Sequence, residues 1–212
     1  YQYFAPQGYF HYDTRDLYAN PTKGILIKQA FRGRINLKGD IKNNYVWLQS
    51  FSVYKRLNRL DNPKPLVIAL GIKTQSNFGD KDQNFLAAMG EAGSVRGWRY
   101  PRHLNYNDPN QIYRFGFHNL KSTVELRKVV VPRFPLQDLY EFGITVGTFI
   151  DWGVTSQMEF SDMFGMRPVI GTGITVQLQM PFVSVLRLDY GYGFYDGKQI
   201  DRAFHLAVGH QI

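Results

Sequence analysis

Apolar and polar residues alternate with a period of two along most of the chain. In "GTGITVQLQM", Ile174, Val176, Leu178 and Met180 share one face, while Gly173, Thr175, Gln177 and Gln179 share the other. That pattern predicts a strand with one dry and one wet side. "FVSVLRLDYGYGF" repeats it, with Leu186, Leu188, Tyr190, Tyr192 and Phe194 set against Arg187, Asp189, Gly191 and Gly193. "AFHLAVGHQI" does so again, Phe204, Leu206, Val208 and Ile212 alternating with His205, Ala207, Gly209 and Gln211. The same reading places strands near 7–15, 23–36, 44–57, 64–76, 119–131 and 139–152, about nine in all.

These strands average more than ten residues. Soluble strands have a mode of ~5 to 6 residues, whereas a tilted strand needs ~9 to 11 to cross a bilayer's hydrocarbon. One face carries residues such as Tyr45, Trp47, Phe51 and Val53, and the other carries charges that a sandwich core could not accept unpaired. The expected fold is therefore all-β, an antiparallel transmembrane β-barrel with its dry face to lipid and its wet face to a lumen. Short links are expected near 16–22, 58–63, 132–138 and Pro181, and longer ones at 77–118, 153–166 and 195–201, with 37–43 breaking the alternation. Membrane barrels join short periplasmic turns to long external loops, which puts 77–118 outside. Nine is an odd number where single-chain bacterial barrels have even counts, so the chain is expected to be part of a larger barrel, unless the count is off by one.

Composition narrows the alternatives. The 212 residues are 44% hydrophobic and 16% aromatic, enough for an ordered domain. No run approaches the ~18 to 20 apolar residues of a membrane-spanning helix, and "YQYFAPQGYF" lacks the layout of a signal peptide. Without cysteine there are no disulfides or thiolate metal sites. The net charge of +8 is scattered, with no block longer than "YKRLNR", so a basic surface or lumen is expected, not a nucleic-acid partner. The five histidines show no ligand spacing. "AGSVRG" is not a nucleophile elbow, because Gly93 directly precedes Ser94, and "GYGFYDG" lacks the helix that a phosphate-binding glycine loop requires. No catalytic residue, metal or cofactor is expected.

Five segments in order carry a resemblance. They are "YDTRDLYANPTKG" with Asp13, Arg15, Pro21 and Gly24; "SVRGW" with Val95, Arg96, Gly97 and Trp98; "STVELRK"; "GTFIDWGV"; and "FHLAVGHQI", in which Phe204, Leu206, Val208, Gly209 and Ile212 form a terminal strand signal. Together they resemble the outer-membrane surface-antigen superfamily of BamA, TamA and FhaC-like barrels, over nearly the whole chain. Trp98 stands where that family commonly has Phe or Tyr, and Ile212 where it usually has a terminal aromatic. The resemblance implies one domain, 1–212, forming the C-terminal portion of a sixteen-stranded barrel, with the loop at 77–118 folded into it. It also implies a bacterial outer-membrane location and a role in inserting or translocating outer-membrane proteins. Its partners would be outer-membrane lipids, unfolded outer-membrane substrates, periplasmic POTRA domains and accessory lipoproteins. The alternative is a passive channel, or an anchor for a fused N-terminal domain such as a patatin-like lipase.

The alternation gives this motif set a physical reading. Ile144, Val146, Ile150 and Trp152 point outward, so Asp151 points in; Val124 and Leu126 point outward, so Glu125 points in. A guanidinium can bind two carboxylates through its fork of donors, and Arg96 on the inward loop is the expected partner of Asp151, Glu125 or both. The plainer readings are an exposed loop arginine, and lumenal acids solvated by water. Asp13 and Arg15 are expected to pair locally at a strand end.

Overall fold

The computed structural model describes residues 2–40, 42–101, 111–136, 140–180 and 185–209. Its strands are β1 (Gln2–Phe4), β2 (Gln7–Asp13), β3 (Gly24–Lys38), β4 (Asn44–Arg56), β5 (Leu66–Gly79), β6 (Ala87–Ala88), β7 (Phe115–Gly116), β8 (His118–Leu136), β9 (Tyr140–Ser156), β10 (Val169–Gln179), β11 (Leu186–Tyr195) and β12 (Lys198–Val208). All but β6 and β7 form one antiparallel sheet, ordered β3-β4-β5-β8-β9-β10-β11-β12, with β1 and β2 both pairing the outer side of β3. The sheet is open: among the described residues, β12 pairs with β11 and with no strand beyond it. The little ladder of β6 and β7 lies within the connection between β5 and β8.

The faces are inverted relative to a soluble protein. Val124, Leu126, Val146, Ile150, Trp152, Ile174, Phe204 and Leu206 are exposed, whereas Thr123, Glu125, Arg127, Thr145, Asp151, Gln177, Arg187 and Asp189 are buried. Both sets follow from the two-residue period of the strands, which sends neighbours to opposite faces. Burial on the polar side comes from the sheet's curvature and from residues of the 80–117 connection, which return into the concavity.

Strands β5 and β9 run on to Gly79 and Ser156, past their expected ends at 76 and 152, and three other boundaries depart further from the sequence expectation. The strand expected at 7–15 is the second half of an edge interrupted at Ala5 and Pro6, where the Pro6 carbonyl accepts the Gly33 amide at 2.8 Å. Proline has no amide for the ladder, so the edge breaks there. Strand β8 runs through Pro132 to Leu136 instead of stopping at 131, with register shifts between Val129 and Phe134 that absorb the proline. The link expected at 195–201 is only the turn at Asp196 and Gly197, whose φ values of 50° and 73° fit the tight hairpin that an Asp-Gly pair favours. Polar residues on both faces of Lys198–Arg202 hide the strand there.

Candidate functional site

The connection from β5 to β8 brings the segment Val95–Trp98 against the inner faces of β8 to β11. Arg96 lies completely buried among strand residues that alternation had assigned to the lumen. Its Nε and Nη2 donate to the two carboxylate oxygens of Asp151, each at 2.9 Å, and its backbone amide donates to Asp151 Oδ2 at 2.9 Å. Its Nη1 donates to Glu125 Oε2 at 2.8 Å and lies 3.5 Å from Asp189 Oδ1. The Phe149 ring sits 3.7 Å from the guanidinium carbon, covering the cation's face. One guanidinium thus meets acids from β8, β9 and β11, which only a concave sheet can supply.

The wall is shaped to admit this backbone. A side chain at Gly171 would place its first carbon 1.7 Å from the Arg96 carbonyl oxygen, and one at Gly193 would sit 2.7 Å from the Trp98 ring. Gly97 has a φ of 87° and lies against the Tyr192 backbone, so both the left-handed conformation and the close approach require glycine. Trp98 Nε1 donates to the Ile170 carbonyl at 2.8 Å. Val95, Met89, Trp98 and Val169 form an apolar cluster, with Tyr113 and Tyr195 packed on it, their rings stacked at 3.7 Å.

Other site residues were not singled out from sequence. Arg187 donates to Asp189 Oδ2 at 2.8 Å and to the Ala92 carbonyl at 2.6 Å, and Gln177 donates to Glu125 Oε1 at 3.0 Å. All three residues occupy wet-face positions, so parity alone could have nominated them. Arg114 binds the Met89 carbonyl through Nε and Nη2 at 3.0 and 2.8 Å and sits 5.0 Å above the Trp98 ring. Arg99 donates its amide and Nε to Asp201 of β12 at 3.0 and 2.9 Å. For these last contacts no sequence signal exists.

The remaining motif residues lie elsewhere. Arg15 donates to both Asp13 oxygens, at 2.9 and 2.7 Å, a local pair. In the same turn, burial would raise the Asp16 carboxyl, but donors on Thr22 and Lys23 outweigh it and hold the group below the usual carboxylate range. Pro21 is buried, Gly24 has a φ of 110°, and neighbouring Asn20 donates to Thr145 of β9 at 2.7 Å. Phe204, Leu206 and Val208 point outward and are exposed, and the Gly209 amide donates to the Val185 carbonyl at 2.8 Å. Ile212, His103 and His210 lie outside the described residues. Among the described residues, no group of histidines and acids is arranged to hold a metal.

The sequence profile of the Omp85 superfamily domain matches residues 2–212. The chain belongs to the Omp85 superfamily. Membership makes the inverted sheet the wall of a bacterial outer-membrane β-barrel, with its exposed apolar face against lipid. A comparison with curated proteins gives no match.

Proposed function

We propose that this barrel inserts or translocates outer-membrane proteins in the manner of BamA and TamA, and that the Val95–Trp98 segment is a latch setting the position of the lumenal loop. The observation that carries this reading is the Arg99–Asp201 pair, at 2.8 Å between Arg99 Nη2 and Asp201 Oδ1. It fastens the latched loop to β12, the strand whose outer edge has no partner among the described residues. Where the seam between β12 and the first strand of the completed barrel opens, the backbone donors and acceptors of β12 would template an incoming strand, so loop and edge would act as one device. The work is physical, through hydrogen-bond templating, and asks for no catalytic group or cofactor. Periplasmic POTRA domains and accessory lipoproteins would deliver the substrate.

These 212 residues contain no cysteine, so a single one placed at the edge is unique within this part of the barrel. Ala207→Cys in the full-length protein should form a disulfide with single cysteines along the last strand of a stalled barrel substrate. Asp201→Asn should lower that yield several-fold. A barrel that folds normally but gives no cross-link at any substrate position defeats the proposal, and leaves the passive channel or anchor as the better reading.

A further inference from the structure

Away from the latch, one rung of the sheet carries a row of basic groups. His11 of β2 is directly opposite Lys28 of β3, Lys28 opposite Ser50 of β4, Ser50 opposite Lys73 of β5, and Lys73 opposite Lys121 of β8. Directly opposed residues point to the same side of an antiparallel sheet. Here that side is the lumen, since Lys121 is buried and its ammonium lies 3.4 Å from the loop's Gly93 carbonyl. All five residues line one cavity of about 680 Å³ between this wall and the loop.

The charge balance of the cavity is lopsided. Lys73 faces Lys121 across a strand spacing of about 5 Å. The acids nearest the row are shared with other groups: Asp151 binds Arg96 and also attracts Lys73 and Lys121, Glu125 binds Arg96 and Gln177, and Asp189 binds Arg187. Among the described residues lining the cavity, Glu91 is the one carboxylate, set against three lysines. Gln75, Asn119 and Ser94 add neutral hydrogen-bonding groups to the same lining.

We propose that this rung binds a multiply charged oxyanion of the phosphate class, either free or carried on a lipid headgroup. Lysines suit such a ligand, because compact ammonium groups at several angles complement a tetrahedral anion without the planar fork that carboxylates favour. The cavity falls within the ~300 to 1,000 Å³ typical of small-ligand sites. The site is separate from the latch and does not depend on the barrel's handling of other proteins.

The test uses the full-length protein folded in detergent micelles, with the unfolding midpoint followed by its heat-dependent electrophoretic mobility. Inorganic phosphate should raise the midpoint saturably over chloride at matched ionic strength. Lys73→Gln should weaken phosphate binding at least tenfold in calorimetry. Lys28→Gln, farther along the rung, should also weaken binding and serves if Lys73→Gln does not fold. A short-chain phosphatidic acid that binds more tightly than phosphate assigns the site to a headgroup, and equal binding assigns it to the free anion. Identical midpoints in phosphate and chloride overturn the proposal, as does full phosphate affinity in both variants.

Discussion

Arg96 is stable in the lumen because its desolvation is offset around the guanidinium edge and on one face. Two carboxylates take its donors in plane, and Phe149 covers one face. The balance is fragile in one direction. Removing the cation leaves Asp151 and Glu125 buried without it, a change that costs roughly 3 to 5 kcal/mol when one partner of a buried pair is lost. Arg96→Ala should therefore release the loop and destabilise the folded barrel by that order, read by urea unfolding and by protease cleavage within 80–117. Arg96→Lys should fall between alanine and wild type, since an ammonium keeps the charge but cannot reproduce the fork to Asp151 together with the bond to Glu125. A lysine variant equal to wild type would mean that charge alone matters, not geometry. Much of this site was legible in the sequence: period-two parity turned Glu125 and Asp151 inward, and the motif supplied Arg96. Parity turned Asp189 inward too, but its meeting with Arg96 was hidden for a physical reason. Its approach to Arg96 depends on how sharply the sheet curves across three strands, which no local pattern encodes.

At the scale of elements, the inner faces of β10 and β11 work as a trough. Their wet-face positions include Gly171, Gly191 and Gly193, where the sheet offers bare backbone to the loop. Gly193→Leu should place a side chain where the Trp98 ring lies, so the loop should become protease-sensitive while the heat-modifiable barrel band persists. Gly165→Ala, with open space around it, should leave the loop protected. Equal protection in both variants would show that the loop is held without the trough. Elements were legible where one face meets lipid and the other the lumen, because that contrast imposes alternation. They were illegible where it lapses, as in the polar start of β12 after Asp196 and Gly197, and where β8 carries proline through a bulge. The loop's own order could not be read at all, since β6 and β7 are two residues each and are held by tertiary contacts such as Arg114 on the Met89 carbonyl.

For the whole molecule, the decisive property is that the sheet is inside out, with lipid as the solvent for its apolar face. Ile150 is 56% exposed on the outer face, and one residue away Asp151 is fully buried. Leu70 and Val124 continue the outward rung beside Ile150, so an arginine at 150 would stand within a continuous apolar belt. In a bilayer, a lipid-facing arginine near the midplane costs about 2 to 4 kcal/mol, whereas lumenal positions tolerate charge. Ile150→Arg should lose stability of that order in urea unfolding from phosphatidylcholine bilayers. Gln75→Arg, on the lumenal wall beside the cavity, should lose far less. In water the ranking would invert, because a soluble sheet gains solubility from a charge on its exposed face and loses stability from one on its covered face. Equal costs at 150 and 75 in the bilayer would therefore contradict the assignment of the two faces, while a larger cost at 150 ties the alternation in the sequence to the membrane that selects it.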